Sequence, residues 1–167
     1  MCIRDRKYEG YIFDLDGTLV DSMPLHYRAW REALARAGAP DHVFRTDEFY
    51  SCGGKSANDV VRFLNERYGM HMDAASTAAD KRRIYLEMLE KEGMQPIQEV
   101  VEFVHSLGDA PKAIATGSAM PGASRTLAAA GLSGLFDVIL TPDEVEHGKP
   151  APDMFLKAAE LLGASPD

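Results

Sequence analysis

The sequence predicts an α/β fold in which a parallel sheet forms one unit and an inserted helical segment forms another. Three short apolar runs, at residues 11–13, 113–115 and 136–140, have the length of buried strands, and each is followed by polar turn residues. In the second half of the chain these runs alternate with helical patterns, which is typical of parallel strands joined by right-handed crossovers. Residues 22–93, between the first two runs, show only helical patterns.

The first predicted helix follows the strand at residues 11–13. Asp21 or Ser22 can cap it, and Pro24 suits its first turn. Apolar residues recur at helical spacing and form one stripe, which comprises Leu25, Ala29, Trp30, Ala33, Leu34 and Ala37. We expect this stripe to pack against a neighbouring element.

Two further helices complete the inserted stretch. Ser56 caps one of them, and the other covers about residues 73–92. We therefore divide the chain into a discontinuous core, residues 1–21 and 94–167, and a helical cap, residues 22–93.

The second half of the chain supplies the remaining strands of the sheet. Helices are expected over about residues 97–107 and 120–130, on either side of the strand at residues 113–115, and a last helix opens at Pro152 and Asp153. If the strands run parallel, their carboxyl ends lie side by side at one edge. In open α/β sheets this edge is where ligands bind.

Composition and charge limit the classes of function. The chain has 167 residues, of which 46% are hydrophobic, and a net charge of −8. It can therefore form one domain of ordinary size with a real core, and the acidic balance argues against a nucleic-acid partner. No apolar run approaches the roughly 18 residues of a membrane span, so we expect no membrane partner.

The amino terminus and the cysteines indicate a cytoplasmic protein. Residues 1–6 are charged and lack the apolar region of a secretory signal. They do not fit the strand that follows, so we interpret them as a scar of cloning or gene prediction. Cys2 and Cys52 are far apart without metal-binding spacing, and we read both as free thiols in a reducing compartment.

The run Asp-Leu-Asp-Gly-Thr at residues 14–18 is the most informative feature of the sequence. It places two carboxylates, Asp14 and Asp16, at the end of the first strand. Gly17 lets the backbone come close to an anion, and the Thr18 hydroxyl can donate to a phosphate oxygen. The group suits phosphate and a divalent cation together, although Asp and Gly residues also form ordinary turns.

Two other strand ends supply complementary groups. Thr116, Gly117 and Ser118 follow the second strand and offer hydroxyl groups on a flexible turn. Lys149 lies between a glycine and two prolines near the start of the last helix, which fixes its backbone. Separately, such groups are common in loops and on surfaces; together at one edge they neutralise and bind phosphate.

The order of these motifs resembles the haloacid dehalogenase superfamily of phosphohydrolases. More closely, it is similar to the branch with a helical cap after the first motif, which includes β-phosphoglucomutases and sugar-phosphate phosphatases. The resemblance covers nearly the whole chain from about Tyr8. It implies a Rossmann-like parallel sheet core, incomplete at the C-terminus, with an inserted α-helical cap.

The resemblance also implies roles for the motif residues. Asp14 would attack phosphorus and form an aspartyl-phosphate, and Asp16 would act first as general acid and then as general base. Mg²⁺ would be held by the Asp14 side chain and the backbone carbonyl of Asp16. The phosphate-binding set would comprise Gly17, Thr18, Thr116, Gly117, Ser118 and Lys149.

The cap would close over the site and choose the substrate. His26, on the first cap helix, is a candidate substrate ligand, with a half-buried structural histidine as the equal alternative. Lys55 lies in Gly-Gly-Lys-Ser at residues 53–56, which lacks the earlier glycine and the preceding strand of a P-loop. We interpret this segment as the cap loop near the substrate, where Lys55 either contacts the substrate or remains solvated.

The chain departs from the family at its end. Members carry a further acidic pair after the next strand, and no such pair follows here before residue 167. We therefore expect a C-terminally truncated chain that lacks the third metal ligand, binds Mg²⁺ weakly, turns over slowly and leaves the first strand with an open edge. The full-length protein is expected to be a monomer.

The substrate expected from these features is a small phosphorylated sugar such as fructose 1-phosphate, which the enzyme would hydrolyse. In the mutases a cap-loop arginine holds a second phosphate, and Ser56 stands at that position by our alignment. Thr18 and Thr116 also fit phosphatases better. A β-phosphoglucomutase-type mutase is the alternative, and a catalytically idle phosphate-binding or scaffold protein is the alternative of another class.

Overall fold

The computed structural model describes residues 8–165. The expectations for residues 1–6 and for Cys2 therefore fall outside the described residues. The elements in chain order are β1 (Tyr11–Phe13), α1 (Met23–Arg36), α2 (Thr46–Ser51), α3 (Ala57–Tyr68), α4 (Ala74–Glu92), α5 (Gln98–Ser106), β2 (Lys112–Ala115), α6 (Met120–Ala129), β3 (Val138–Leu140) and α7 (Asp153–Leu162). A 3₁₀ turn, Pro142–Glu144, follows β3.

The three predicted strands form one parallel sheet in the order β1-β2-β3. Ile12 pairs with Ala113, and Ala113 pairs in turn with Val138. The α/β prediction is confirmed, and the carboxyl ends of the strands share one edge. β3 begins at Val138 rather than at residue 136. Asp137, just before it, donates its backbone N–H to Lys112 O and accepts from the Lys112 N–H through a carboxylate oxygen.

Helix α1 begins where the sequence predicts, but it lacks the predicted capping bond and ends before the last residue of the predicted stripe. Ser22 occupies the N-cap position, but its hydroxyl makes no capping bond and donates to Asp16 instead. The helix ends at Arg36, so Ala37, predicted on the apolar stripe, is exposed. Pro24 lies in the first turn as expected.

Helix α2 was not predicted. Its six residues are polar and aromatic, and its only buried side chain is Phe49. An isolated helix of this length is unstable in water, so packing rather than local propensity accounts for it. Phe44, just before it, is fully buried with φ of 59° and donates its backbone N–H to Glu48.

The other helices agree with the sequence patterns. Ser56 caps α3 by accepting from the backbone N–H of Asp59, and Asp73 caps α4 by accepting from that of Ser76. Within residues 8–165, no helix has both the length and the apolar character that crossing a membrane requires.

Two main hydrophobic clusters stabilise the fold. The sheet-side cluster combines β2, α5 and α6 with parts of α1 and α4 and includes Leu89. The cap-side cluster combines α2 and α3 with another part of α1 and includes Trp30 and Leu64. Since α1 belongs to both clusters, it joins residues 22–93 to the sheet; the division into core and cap stays a prediction.

Candidate active site

Asp14 lies directly after β1, at the edge of the sheet where the strands end. Its side chain is 42% exposed, and its Oδ1 lies 3.0 Å from Nζ of Lys149. The Lys149 side chain is only 12% exposed and lies 5.3 Å from the centre of the Phe155 ring, so neighbouring groups hold its ammonium in place. The sequence predicted this juxtaposition, and the structure brings the two groups together.

Asp16, two residues further on, is surrounded by hydrogen-bond donors. Its Oδ1 accepts from Ser22 Oγ at 2.6 Å and contacts His26 Nε2 at 3.0 Å. Its Oδ2 accepts from Ser118 Oγ at 2.7 Å and from Thr116 Oγ1 at 3.4 Å. The carboxylate is thus fixed by groups from β1's loop, α1 and the loop after β2.

These bonds decide the charge of Asp16. Burial alone would raise its pKa, but hydrogen bonds from His26, Ser22 and Ser118 lower it well below the usual value of an aspartate. The two carboxylates therefore differ in environment, since Asp14 is half-exposed beside an ammonium group and Asp16 is enclosed by neutral donors. Such a difference is what separate acid–base and nucleophilic roles require.

His26 connects Asp16 to Lys81 of α4. Lys81 Nζ lies 2.8 Å from His26 Nδ1, so the ammonium donates to this nitrogen and the proton of the neutral ring sits on Nε2, facing Asp16. Burial and the Lys81 charge lower the pKa of His26, which agrees with a neutral ring. Desolvation likewise lowers the pKa of Lys81 to about 8.

Thr116, Gly117 and Ser118 converge with the carboxylates as predicted. Thr116 is fully buried, and its hydroxyl accepts from the backbone N–H of Ser118 at 3.1 Å. Gly117 and Ser118 line the cavity beside Asp14. Their position at the end of β2 gives the site hydroxyl and backbone groups close to the carboxylates.

Gly17 and Thr18 lie outside the cavity lining, although they belong to the same motif. The N–H of Gly17 donates to Val20 O and that of Thr18 to Leu15 O, so both groups already have partners. Gly17 has φ of 75°, and a Cβ there would lie 3.1 Å from Met23 Cγ, so the turn requires glycine. A direct part in phosphate binding stays a prediction for both residues.

A cavity of about 430 Å³ opens over the carboxylates and extends between the sheet edge and the helices of residues 22–93. The loop at residues 53–56 forms part of its wall, and a Cβ at Gly54 would lie 3.4 Å from the Cβ of Lys149. The cap loop therefore lies against the sheet-side loops, as the sequence interpretation expected. Four cationic side chains line the cavity: Lys55, Lys81, Arg82 and Lys149.

The predicted cap residues have different surroundings. Lys55 is exposed and lines the cavity, so it can reach a ligand there. His26 also lines the cavity, but both its ring nitrogens are engaged by Asp16 and Lys81. Direct substrate contact stays a prediction for both.

Several residues of the site were missed by sequence reasoning. Ser22 was read only as a cap, and Lys81, Arg82 and Asn58 were not considered. Lys81 precedes the buried residues Ile84 and Tyr85 by three and four positions, so it lies on the inward face of α4. A lysine on the inner face of an amphipathic helix was the available signal.

The donors for a metal ion are only partly present among residues 8–165, which contain no group of three or more His, Cys, Asp or Glu side chains able to hold one. Asp14 nevertheless presents a half-exposed carboxylate at the cavity, the hard oxygen ligand that Mg²⁺ prefers. The residues present therefore fit part of a magnesium site.

Comparison with known proteins identifies the family of the chain. Residues 8–167 match the model of the haloacid dehalogenase-like hydrolases. The chain is 34% identical over 161 residues to fructose-1-phosphate phosphatase YqaB of Escherichia coli K12, covering 96% of this chain and 83% of the relative. It is 35% identical over 164 residues to hexitol phosphatase A of the same strain, covering 96% and 71%.

A solved structure shows the same fold. A hydrolase from Pseudomonas syringae superposes with a TM-score of 0.82 at 29% identity, covering 95% of this chain and 72% of that one. The paired aspartates after β1, the hydroxyl residue after β2 and the lysine before α7 thus occur in a chain whose sequence and fold agree with one family. This protein belongs to the haloacid dehalogenase-like hydrolases.

Proposed function

We propose that this protein is a phosphatase that hydrolyses small sugar phosphates through an aspartyl-phosphate on Asp14. One observation carries the proposal: the half-exposed Asp14 carboxylate lies 3.0 Å from Lys149 and faces the same cavity as the enclosed Asp16. Family membership supports hydrolysis, and the two phosphatase relatives support a phosphorylated sugar or sugar alcohol as substrate.

In the first step Asp14 acts as the nucleophile. One carboxylate oxygen forms a bond to phosphorus as the bond from phosphorus to the sugar oxygen breaks. The departing oxygen takes a proton from Asp16 and leaves as the free sugar. Lys149 holds Asp14 in place and offsets the charge of the phosphoryl oxygens, and Ser118 and the Gly117 backbone, which line the same cavity, bind these oxygens as well.

In the second step Asp16 acts as the base. It removes a proton from water, whose oxygen bonds to phosphorus while the bond to Asp14 breaks, and inorganic phosphate leaves. The hydrogen bonds around Asp16 hold its pKa low, so its carboxyl group is ionised in this structure, as the second step requires. For the first step, the negative charge of a bound phosphate ester would raise that pKa and favour the protonated acid.

Mg²⁺ is proposed as the cofactor, held by the Asp14 carboxylate and the backbone carbonyl of Asp16. When bound, it would neutralise negative charge on the phosphoryl oxygens. We also propose that Gly17, Thr18 and Thr116 contribute to the phosphate-binding site. The cytoplasmic location and the monomeric state expected from the sequence stay predictions.

The cavity supports a substrate of monosaccharide size. Its volume of about 430 Å³ lies in the ordinary range for small-molecule sites. Lys55, Asn58 and Arg82 lie on the cap side of the cavity, where they can contact sugar hydroxyls or a second anionic group. We propose these three residues as contacts of the leaving group.

The test is phosphate release from fructose 1-phosphate and hexitol phosphates with Mg²⁺ present. Asp14→Asn is expected to lower kcat by at least about 1000-fold, because an amide is a far weaker nucleophile. Asp109→Asn, which alters an exposed carboxylate outside the cavity lining, is the matched control. Labelled phosphate should be trapped on Asp14 by acid quench and located by mass spectrometry.

Other outcomes of this test would separate the alternatives. Phosphate binding without turnover or a trapped intermediate would favour an idle binding protein. Interconversion of β-glucose 1-phosphate and glucose 6-phosphate would favour the mutase. Equal turnover by Asp14→Asn and the parent chain would contradict the proposal.

A further inference from the structure

The ring of Tyr85 lies flat against the ring of His26. Their centroids are 4.1 Å apart and their planes differ by 5°, and the two residues are only 3% and 9% exposed. Tyr85 belongs to α4 and His26 to α1, so the stack joins two helices beside the carboxylates. Because Nε2 of this histidine contacts Asp16, the plane of its ring determines where the N–H points.

The hydroxyl at the far end of the Tyr85 ring is held by α6, a helix of the sheet-side cluster. It lies 2.8 Å from Thr126 Oγ1, and Thr126 is 1% exposed on α6. A hydroxyl left without a partner at this depth would lose its hydrogen bond without regaining one from water, so the bond is expected to persist. A continuous chain of contacts therefore runs from Thr126 through Tyr85 and His26 to Asp16.

This series of contacts begins on α6 and returns to the loop just before α6. Helix α6 starts two residues after Ser118, whose hydroxyl donates to the other oxygen of Asp16. The carboxylate is thus held directly by the loop before α6 and indirectly by the middle of α6 through two aromatic rings. Nothing in the proposed reaction requires the Tyr85 hydroxyl itself.

We propose that Tyr85, anchored by Thr126, is a positioning residue that fixes the ring plane of His26 and thereby aims its Nε2–H at Asp16. Torsion about the bond that carries an imidazole ring is broad, so hydrogen bonds alone allow the ring to swing. A flat neighbour anchored at its far end removes that freedom. Hydrogen bonds weaken steeply as their angle departs from linear, so a small swing would loosen Asp16.

The expected effect on kcat rests on the proposed function, whereas the expected effect on the orientation of the His26 ring does not. Two readouts keep them separate. The first is the set of His26 ring signals in long-range ¹H–¹⁵N NMR spectra, assigned among the five histidines with His26→Gln. The second is kcat and KM for phosphate release.

The variants are Tyr85→Phe, Thr126→Val and the double variant, with Thr126→Ser as the conservative replacement. Each single variant breaks the same bond while preserving most of the packing, so Thr126→Val serves even if Tyr85→Phe folds poorly. Tyr68→Phe is the matched control, since it removes a tyrosine hydroxyl that donates to Glu48 at 2.9 Å, away from His26.

We expect both single variants to shift the His26 ring signals and to lower kcat by about 10-fold with KM changed less than about twofold. The double variant should be no worse than either single one, because both remove one shared bond. Thr126→Ser should restore the parent values, and Tyr68→Phe should leave them unchanged.

Unchanged His26 signals in Tyr85→Phe and Thr126→Val would overturn the inference. So would fully additive losses in the double variant, or an equal loss of kcat in Tyr68→Phe. A parent chain without phosphatase turnover would count against the proposed function alone, and the NMR signals would then decide the positioning role.

Discussion

Asp14 and Asp16 show how two identical side chains acquire different chemistry from their neighbours. Asp14 has one cationic partner and a half-exposed face toward the cavity, whereas Asp16 is bound by hydroxyl groups and an imidazole. Only the exposed carboxylate is free to approach a phosphorus atom. This difference in access and in hydrogen bonding supports the proposed roles of Asp14 as nucleophile and Asp16 as acid–base group.

Lys81 gives a prediction for stability against pH. Its pKa of about 8 in the folded protein, against an ordinary 10.5, means that the unfolded chain binds more protons between these values. Its contribution to the free energy of unfolding should therefore rise with pH across this window, by up to about 3 kcal/mol, since one pKa unit corresponds to about 1.4 kcal/mol. The substitution Lys81→Met should remove this rise. Urea unfolding of the parent chain and the variant between pH 7 and pH 10.5 measures it.

The control for this measurement is Lys91→Met, which changes an exposed lysine near the end of the same helix. Its pH dependence should parallel that of the parent chain. If the parent and Lys81→Met curves stay parallel as well, the ammonium group of Lys81 is not desolvated as the structure indicates.

At this scale the sequence predicted the residues that follow strands and missed those that approach from helices. Asp14, Asp16, Thr116 and Lys149 were recognisable because parallel strands bring their ends to one edge. Lys81 lies in the charged run at residues 80–83, where only its register relative to Ile84 distinguishes it from its neighbours. Which turn of α4 faces His26 depends on tertiary packing that no local pattern specifies.

Among the elements, α6 allows a test of helix geometry with two glycines. Gly122 lies in its first turn, and no atom stands within 4 Å of the position that a Cβ would take. Gly122→Ala should therefore raise the free energy of unfolding by about 0.5 kcal/mol, because alanine has less conformational freedom in the unfolded chain. Gly131, just beyond the helix, has φ of 72°, so Gly131→Ala should lower it by about 1 kcal/mol despite equal space. Chemical denaturation measures both, and changes of the same sign would contradict the backbone explanation.

Element prediction succeeded where periodicity or caps were strong and failed where packing decides. Ser56 caps the helix that the sequence assigned to it, and α4, which the sequence predicted from about residue 73, begins at Ala74 with Asp73 as its cap. Helix α2 escaped prediction because its six residues have no helical repeat and only Phe49 is buried. Ser22 was placed correctly, but its hydroxyl serves Asp16, which a local capping rule does not foresee.

For the whole molecule, α1 is the helix that links the two hydrophobic clusters. It contributes to both the sheet-side and the cap-side clusters, and α4 packs against both α1 and α3. Loss of either cluster would expose a face of α1. We therefore expect the two clusters to unfold together.

A direct check compares two probes of thermal unfolding. Trp30, the single tryptophan, reports on the cap-side cluster by fluorescence, and far-ultraviolet circular dichroism reports on all helices. The transitions should coincide, and Leu64→Ala should shift both equally while costing about 3 kcal/mol, because Leu64 is fully buried. Leu161→Ala, at a side chain 53% exposed, should shift neither by much.

Separate midpoints for fluorescence and circular dichroism would contradict this coupling.

The sequence predicted the α/β class and the positions of the three strands along the chain, because alternating runs and helices restrict the topology strongly. It did not predict that α1 spans both clusters, since the stripe of a helix does not reveal which neighbours cover each turn.

The four cations around the cavity outnumber the three carboxylates in its lining, those of Asp14, Asp16 and Asp143, and lie on a molecule whose net charge is −8. An approaching anion is therefore repelled over long distances and attracted only near the opening. Dissolved salt screens charges beyond roughly 10 Å at 0.1 M, so modest ionic strength should remove the distant repulsion first and speed the encounter. More concentrated salt should weaken the close attraction too, so the association rate should pass through a maximum.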